Sequence, residues 1–122
     1  MDDKFRAAAE FITNSKPELL KLWQTLVNIE SGPDSKEGTD EIISIIRELL
    51  SEDCNMSTEI IESKQSGNSL IAHSTEPAER SEPIVLLGHA DTVFAKGTLK
   101  DFPFTSDEGI IRGPGCLDMK GG

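Results

Sequence analysis

Up to Leu50 the apolar positions recur at helical spacing. Phe5, Ala8, Ala9 and Ile12 stand at i, i+3, i+4 and i+7, which predicts one amphipathic helix ending near Asn14. Ser15 to Glu18, "SKPE", has the form of a capping box with proline in the first turn, so a second helix restarts there and buries Leu19, Leu22, Trp23 and Leu26. Ser31-Gly32-Pro33 stops it. With Asp34 or Ser35 as cap, Ile42, Ile43, Ile46, Leu49 and Leu50 predict a third amphipathic helix.

Beyond Leu50 the period changes. "MSTEIIES" (Met56 to Ser63) and "NSLIAHS" (Asn68 to Ser74) are short β-rich runs split by "KQSGN", as in a hairpin. "STEPAERSEP" (Ser74 to Pro83) is polar and proline-bearing, which predicts a surface loop. "IVLL" (Ile84 to Leu87) is an uninterrupted apolar run of the kind found in a central strand covered on both faces. "TSDEGIIR" (Thr105 to Arg112) reads as strand, Asp-Glu-Gly turn and strand, so Asp107 and Glu108 are turn residues. Helices that bury one face beside such strands predict an α/β fold, the first half of an α/β/α sandwich in which helices flank a mixed sheet.

Composition narrows the class. A chain of 122 residues is long enough for one domain, or part of one, with a core. The net charge of −10 leaves no basic stripe for nucleic acid or an anionic membrane surface. The acidic start "MDDKFRAAAEFITNSK" has no apolar run of signal-peptide or membrane-span length, so a cytoplasmic location is the expectation. Cys54 and Cys116 lack C-x-x-C spacing and are read as small reduced residues packed in the fold, with no disulfide or cysteine zinc site. His73 has no acidic or cysteine neighbour at ligand spacing and receives no role.

The chemistry-bearing residues follow the apolar run. In open α/β sheets the carboxyl ends of strands face the crevice where ligands bind, which is where "GHADTV" (Gly88 to Val93) falls. Two residues apart in extended chain, His89 and Asp91 point to one side with Cα atoms roughly 6–7 Å apart. An imidazole can then offer one nitrogen to a metal while the aspartate accepts a hydrogen bond from the other. The same residues also suit a strand-capping histidine beside a turn aspartate, and these positions alone do not choose between the two. In "GPGCLDMKGG" (Gly113 to Gly122), Asp118 stands among glycines that permit turns closed to other residues. A phosphate-binding loop would need Ser or Thr after Gly-Lys, and the dinucleotide fingerprint would need glycine where Asp118 stands.

"HADTV" followed by "GPGCLDMKGG" resembles the zinc-dependent carboxypeptidase and aminoacylase family of metallopeptidases, which includes glutamate carboxypeptidases, acetylornithine deacetylase and succinyl-diaminopimelate desuccinylase. The stretch "FAKGTLKDFPF" leans toward the glutamate carboxypeptidase type. Carried over by position, the resemblance implies that His89 is a terminal zinc ligand and Asp118 the carboxylate bridging two zinc ions. It implies that Asp91 is the catalytic-site aspartate that orients the histidine, and that the Asp118-Met119 peptide is cis. The implied cofactor is Zn2+, two per complete site, with Co2+ or Mn2+ as substitutes. The implied reaction is hydrolysis of a peptide or N-acyl-amino-acid substrate by a zinc-activated water, without a covalent intermediate. Cys116 takes a position where the family has a small non-ligand residue, and Lys120 is read as a solvated surface charge.

The family pattern runs on past Gly122. It would continue with a helix opened by the two glycines, a Glu-Glu pair supplying base and ligand, another acidic ligand, a distant histidine and an inserted dimerisation domain. The chain is therefore expected to be the N-terminal portion of a metallopeptidase catalytic domain, forming a homodimer only in a full-length form. The alternative expectation is a non-catalytic fragment that folds or acts only with a complementary chain.

Overall fold

The computed structural model describes residues 2–76 and 82–122. Most of the surface loop predicted between Ser74 and Pro83 lies outside the described residues. Helix α1 spans Asp3–Asn14 and α2 spans Lys16–Val27. The Ser15 side chain makes no capping hydrogen bond, contrary to the capping-box expectation. Its amide instead donates to the Phe11 carbonyl at 2.9 Å and its carbonyl accepts from the Leu19 amide at 2.9 Å. The ladder of α1 thus runs on into α2 and supplies the acceptors that a free helix start would lack. The predicted stripe of α1 is formed but uncovered, with Phe5 and Ile12 exposed.

Helix α3, Lys36–Glu48, carries the centre of the core on Ile42 and Ile43. Its end widens into a π-helical turn over Leu49–Asp53, closed by the Cys54 amide on the Leu49 carbonyl at 3.2 Å. Strands β1 (Met56–Ile61) and β2 (Ser69–Ser74) form the predicted hairpin, antiparallel from Met56 opposite Ser74 to Ile61 opposite Ser69. Ile60 and Leu70 lie opposite one another in that register and pack with Leu22, Ile29, Ile45 and Ile46 against Leu26, Ile42, Ile43 and Ala90. The core is therefore a helix pair laid against a two-stranded ribbon.

Polar contacts fix where the ribbon sits. The Asp40 carboxylate accepts from the Asn68 amide at 2.7 Å and pairs with Lys36 at 2.7 Å, which holds its pKa below the usual aspartate value. A Cβ at Gly67 would lie 2.2 Å from the Thr39 methyl carbon, so glycine lets the hairpin approach α3 closely.

Farther along, α4 (Thr98–Asp101) is a single turn, and β3 (Thr105–Asp107) pairs antiparallel with β4 (Ile110–Arg112). Their turn takes positive φ at Glu108 (47°) and Gly109 (79°), as the Asp-Glu-Gly reading predicts. The chain is mixed α/β, but its ordered strands form two separate two-stranded antiparallel sheets. The mixed sheet expected around Ile84 to Leu87 is not formed among the described residues. Those side chains are 70–91% exposed, and from Ile84 to Gly88 the chain makes no backbone hydrogen bond there. An apolar run becomes a strand only beside a partner, and β1 and β2 pair with each other. Cys54 is exposed, against the expectation that it is packed, because the chain turns out of α3 at that point. Among the described residues no helix is long and apolar enough to cross a membrane.

Ile42 is the most deeply buried large side chain of the core, at 1% exposure. Ile42→Ala is expected to lower unfolding stability by about 2–5 kcal/mol, read as a drop in the urea midpoint. A midpoint equal to that of the native chain would show that the helix–ribbon interface is not a packed core.

Candidate metal centre

Two separate segments converge here. His89 leaves the apolar run Ile84 to Leu87, and Asp118 sits in the glycine-rich turn near the C-terminus. The His89 Nε2 lies 2.8 Å from the Asp118 Oδ1. The His89 Nδ1 lies 2.9 Å from the Asp91 main-chain carbonyl and 3.3 Å from the Asp91 Oδ1. All three predicted site residues are thus brought together. Asp91 reaches the ring more closely through its backbone oxygen than through its carboxylate.

The turn around Asp118 depends on glycine and on close backbone passage. Gly113 and Gly115 have φ of 154° and 72°, and a Cβ at Gly115 would stand 2.6 Å from the Thr92 methyl carbon. The Asp118-Met119 peptide is cis, as the resemblance implies. Met119 folds back under the histidine segment, where its sulfur accepts from the His89 amide at 3.2 Å. Among the described residues no group of three or more His, Cys, Asp or Glu side chains converges in a way that could hold a metal ion.

Protonation follows from the partners. Carbonyl and carboxylate oxygens only accept, so both ring nitrogens must carry protons to make these contacts together. The Asp118 carboxylate, and then the Asp91 carbonyl, raise the His89 pKa above its ordinary value. An imidazole and a carboxylate facing each other across 2.8 Å, both exposed, fit a zinc ion as two of its donors. They fit it as part of a site, since a tetrahedral centre needs more donors. A metal there would take the place of the proton on Nε2, so metal and proton compete.

Lys120 is the clearest departure from expectation. Instead of a solvated charge it is about half-buried, and its Nζ donates to the Ile29 carbonyl at 2.6 Å. Burial pushes its pKa down to about 8, partly opposed by the Glu30 charge. Cys116 is partly buried, its thiol 3.9 Å from the Ile111 carbonyl oxygen. His73 stands on β2 without a side-chain hydrogen bond among the described residues.

Three residues that support the site escaped sequence reasoning. Ser31, fully buried, donates from its hydroxyl to the Ala90 carbonyl at 2.8 Å, and its own carbonyl accepts from the Thr92 amide at 2.8 Å. The Glu30 carboxylate accepts from the Gly97 amide at 2.8 Å and the Leu99 amide at 3.1 Å, which holds its pKa below the usual range. Met119 is the third. Each acts on a partner remote in the sequence, so no local spacing announces it.

The segments delivering His89 and Asp118 bring one imidazole and one carboxylate together on a mixed α/β chain. No protein-family model matches the chain. Carboxypeptidase G2 from Pseudomonas sp. (strain RS-16) is 31% identical over 114 residues, which are 90% of this chain and 26% of that protein. This similarity supports a carboxypeptidase-family relationship. The chain spans about a quarter of the length of that relative.

The raised His89 pKa has a definite sign. Stability from its ion pair is fully present below the ordinary imidazole value near 6.5 and is lost as pH rises through the raised value. Asp118→Asn removes the largest cause, so the His89 midpoint in an NMR titration is expected to fall toward the ordinary value. A midpoint unmoved by Asp118→Asn would mean that the two side chains do not pair in solution.

Proposed function

We propose that this chain carries part of the zinc centre of a hydrolase that cleaves peptide or N-acyl-amino-acid amide bonds. One observation carries the reading: His89 and Asp118, in segments 29 residues apart, face each other as an imidazole nitrogen and a carboxylate oxygen at 2.8 Å. The similarity to Carboxypeptidase G2 supports the direction of the chemistry. His89, through Nε2, and Asp118, through its carboxylate, would hold the zinc. The chemistry supplied by zinc when bound is polarisation of the scissile carbonyl and activation of water. Co2+ or Mn2+ are the substitutes in this reading.

The chain's own residues do the positioning. The Asp91 carbonyl and carboxylate hold a proton on Nδ1, which turns the Nε2 lone pair toward the incoming ion once that nitrogen loses its proton. The Asp118 carboxylate provides charge beside it. Proton competition makes zinc affinity rise with pH until His89 is neutral.

A second reading is favoured by a different observation. The apolar segment Ile84 to Leu87 directly precedes the site and has neither side-chain cover nor backbone partners among the described residues. On this reading the chain acts only with a complementary chain that pairs with this segment and brings further ligands.

Zinc titration by calorimetry at pH 8, alongside an assay of N-acyl-glutamate hydrolysis, tests both readings. Binding is expected in the native chain, about 10–100-fold weaker in Asp91→Ala and lost in His89→Ala and Asp118→Ala. Native affinity retained by His89→Ala would refute the assignment. Turnover by the chain alone would count against the second reading.

A further inference from the structure

We infer that Ser31 is the positioning residue of the His89-x-Asp91 segment, and that it presents the imidazole to Asp118 by bracketing Asp91 from the opposite side. The inference rests on the reading of His89 and Asp118 as a metal centre, and it names what holds that centre in shape.

Ser31 lies in the turn between α2 and α3 and is 0% exposed. Two hydrogen bonds of 2.8 Å leave it for residues on either side of Asp91: the hydroxyl donates to the Ala90 carbonyl, and the carbonyl accepts from the Thr92 amide. Ala90 and Thr92 are buried while His89 and Asp91 are exposed, the alternation of a strand held along one edge. With the even positions gripped, the odd positions face outward together. That places the Asp91 carbonyl 2.9 Å from the His89 Nδ1 and the Nε2 on the side of Asp118.

The glycine-rich turn is referenced to the same anchor. Lys120, two residues past Asp118, donates to the Ile29 carbonyl at 2.6 Å, and Gly115 passes close against Thr92. The separation of His89 from Asp118 is therefore set by two tethers that end on residues 29 and 31. Of these, the Ser31 hydroxyl is the one contributed by a small side chain with no other hydrogen-bond partner among the described residues. Alanine at 31 keeps the backbone bond to Thr92 but frees the Ala90 carbonyl, so the segment can rotate about Asp91.

The test compares the native chain, Ser31→Ala and Ile42→Val, a core change that leaves every hydrogen bond of the site in place. The 15N resonances of the His89 ring, recorded without metal, report the Nδ1 and Nε2 protons separately and need no zinc. The native chain and Ile42→Val are expected to show both ring protons held against exchange, the one on Nδ1 by the Asp91 carbonyl, whereas Ser31→Ala shows exchange at Nδ1. In a zinc titration, Ser31→Ala is expected to bind about tenfold more weakly, with Ile42→Val unchanged.

A native ring signature in folded Ser31→Ala overturns the inference, as does an equal change in Ile42→Val. Should Ser31→Ala fail to fold, the near-isosteric Ser31→Cys, whose thiol is a weak donor, takes its place: exchange at Nδ1 supports the bracket, and the native ring signature refutes it. Absence of zinc binding in the native chain would count against the metal reading alone, because the ring signature reports Ser31 independently.

Discussion

The turn that closes α2 holds the molecule in register. At Ser31 a hydroxyl without solvent contact is bonded to the Ala90 carbonyl. An acceptor left bare in such a place costs about 1–3 kcal/mol. The residues before it use different atoms for the same purpose: the Ile29 carbonyl takes Lys120, and the Glu30 carboxylate takes the amides of Gly97 and Leu99. Three loops remote in sequence are thereby tied to one short stretch. Gly32 and Gly38 are small because backbone passes beside them, with the Phe94 and Glu30 carbonyl oxygens 1.8 Å from where a Cβ would stand.

Around that turn the apolar surface is unevenly used. The α3 helix and the β1–β2 ribbon share a closed interface centred on Ile42, while the stripe of α1 and the run Ile84 to Leu87 remain open. Hydrophobic patterning states what a segment is able to bury. It does not supply the surface that does the burying, which is why equally apolar segments end in opposite environments.

The electrostatics around the glycine-rich turn show two opposed causes. His89 is exposed, and its partners favour the charged ring, so its pKa rises. Lys120 is half-buried, and desolvation disfavours its ammonium, so its pKa falls to about 8. The first case is governed by the neighbour that shares the proton and the second by the loss of water. Near the candidate metal position the protein therefore carries a proton that a cation would displace, with a lysine held back on the Ile29 carbonyl.

By itself the sequence determined the local elements and the identity of the chemistry-bearing residues. Helical spacing marked α1 to α3, alternation marked the hairpin, and the Asp-Glu-Gly turn between β3 and β4 was legible from φ preferences alone, because each depends on neighbours a few residues away. The motifs around His89, Asp91 and Asp118 were equally legible as spacing. Only the tertiary structure decided that the Ser15 side chain caps nothing, that Lys120 is half-buried, that Cys54 is exposed and that Ile84 to Leu87 has no partner strand among the described residues. It alone brought Ser31 to residues 90 and 92. Each of these depends on which remote surface lies beside a residue, and a hydrogen bond spanning 59 residues leaves no period in the chain that forms it.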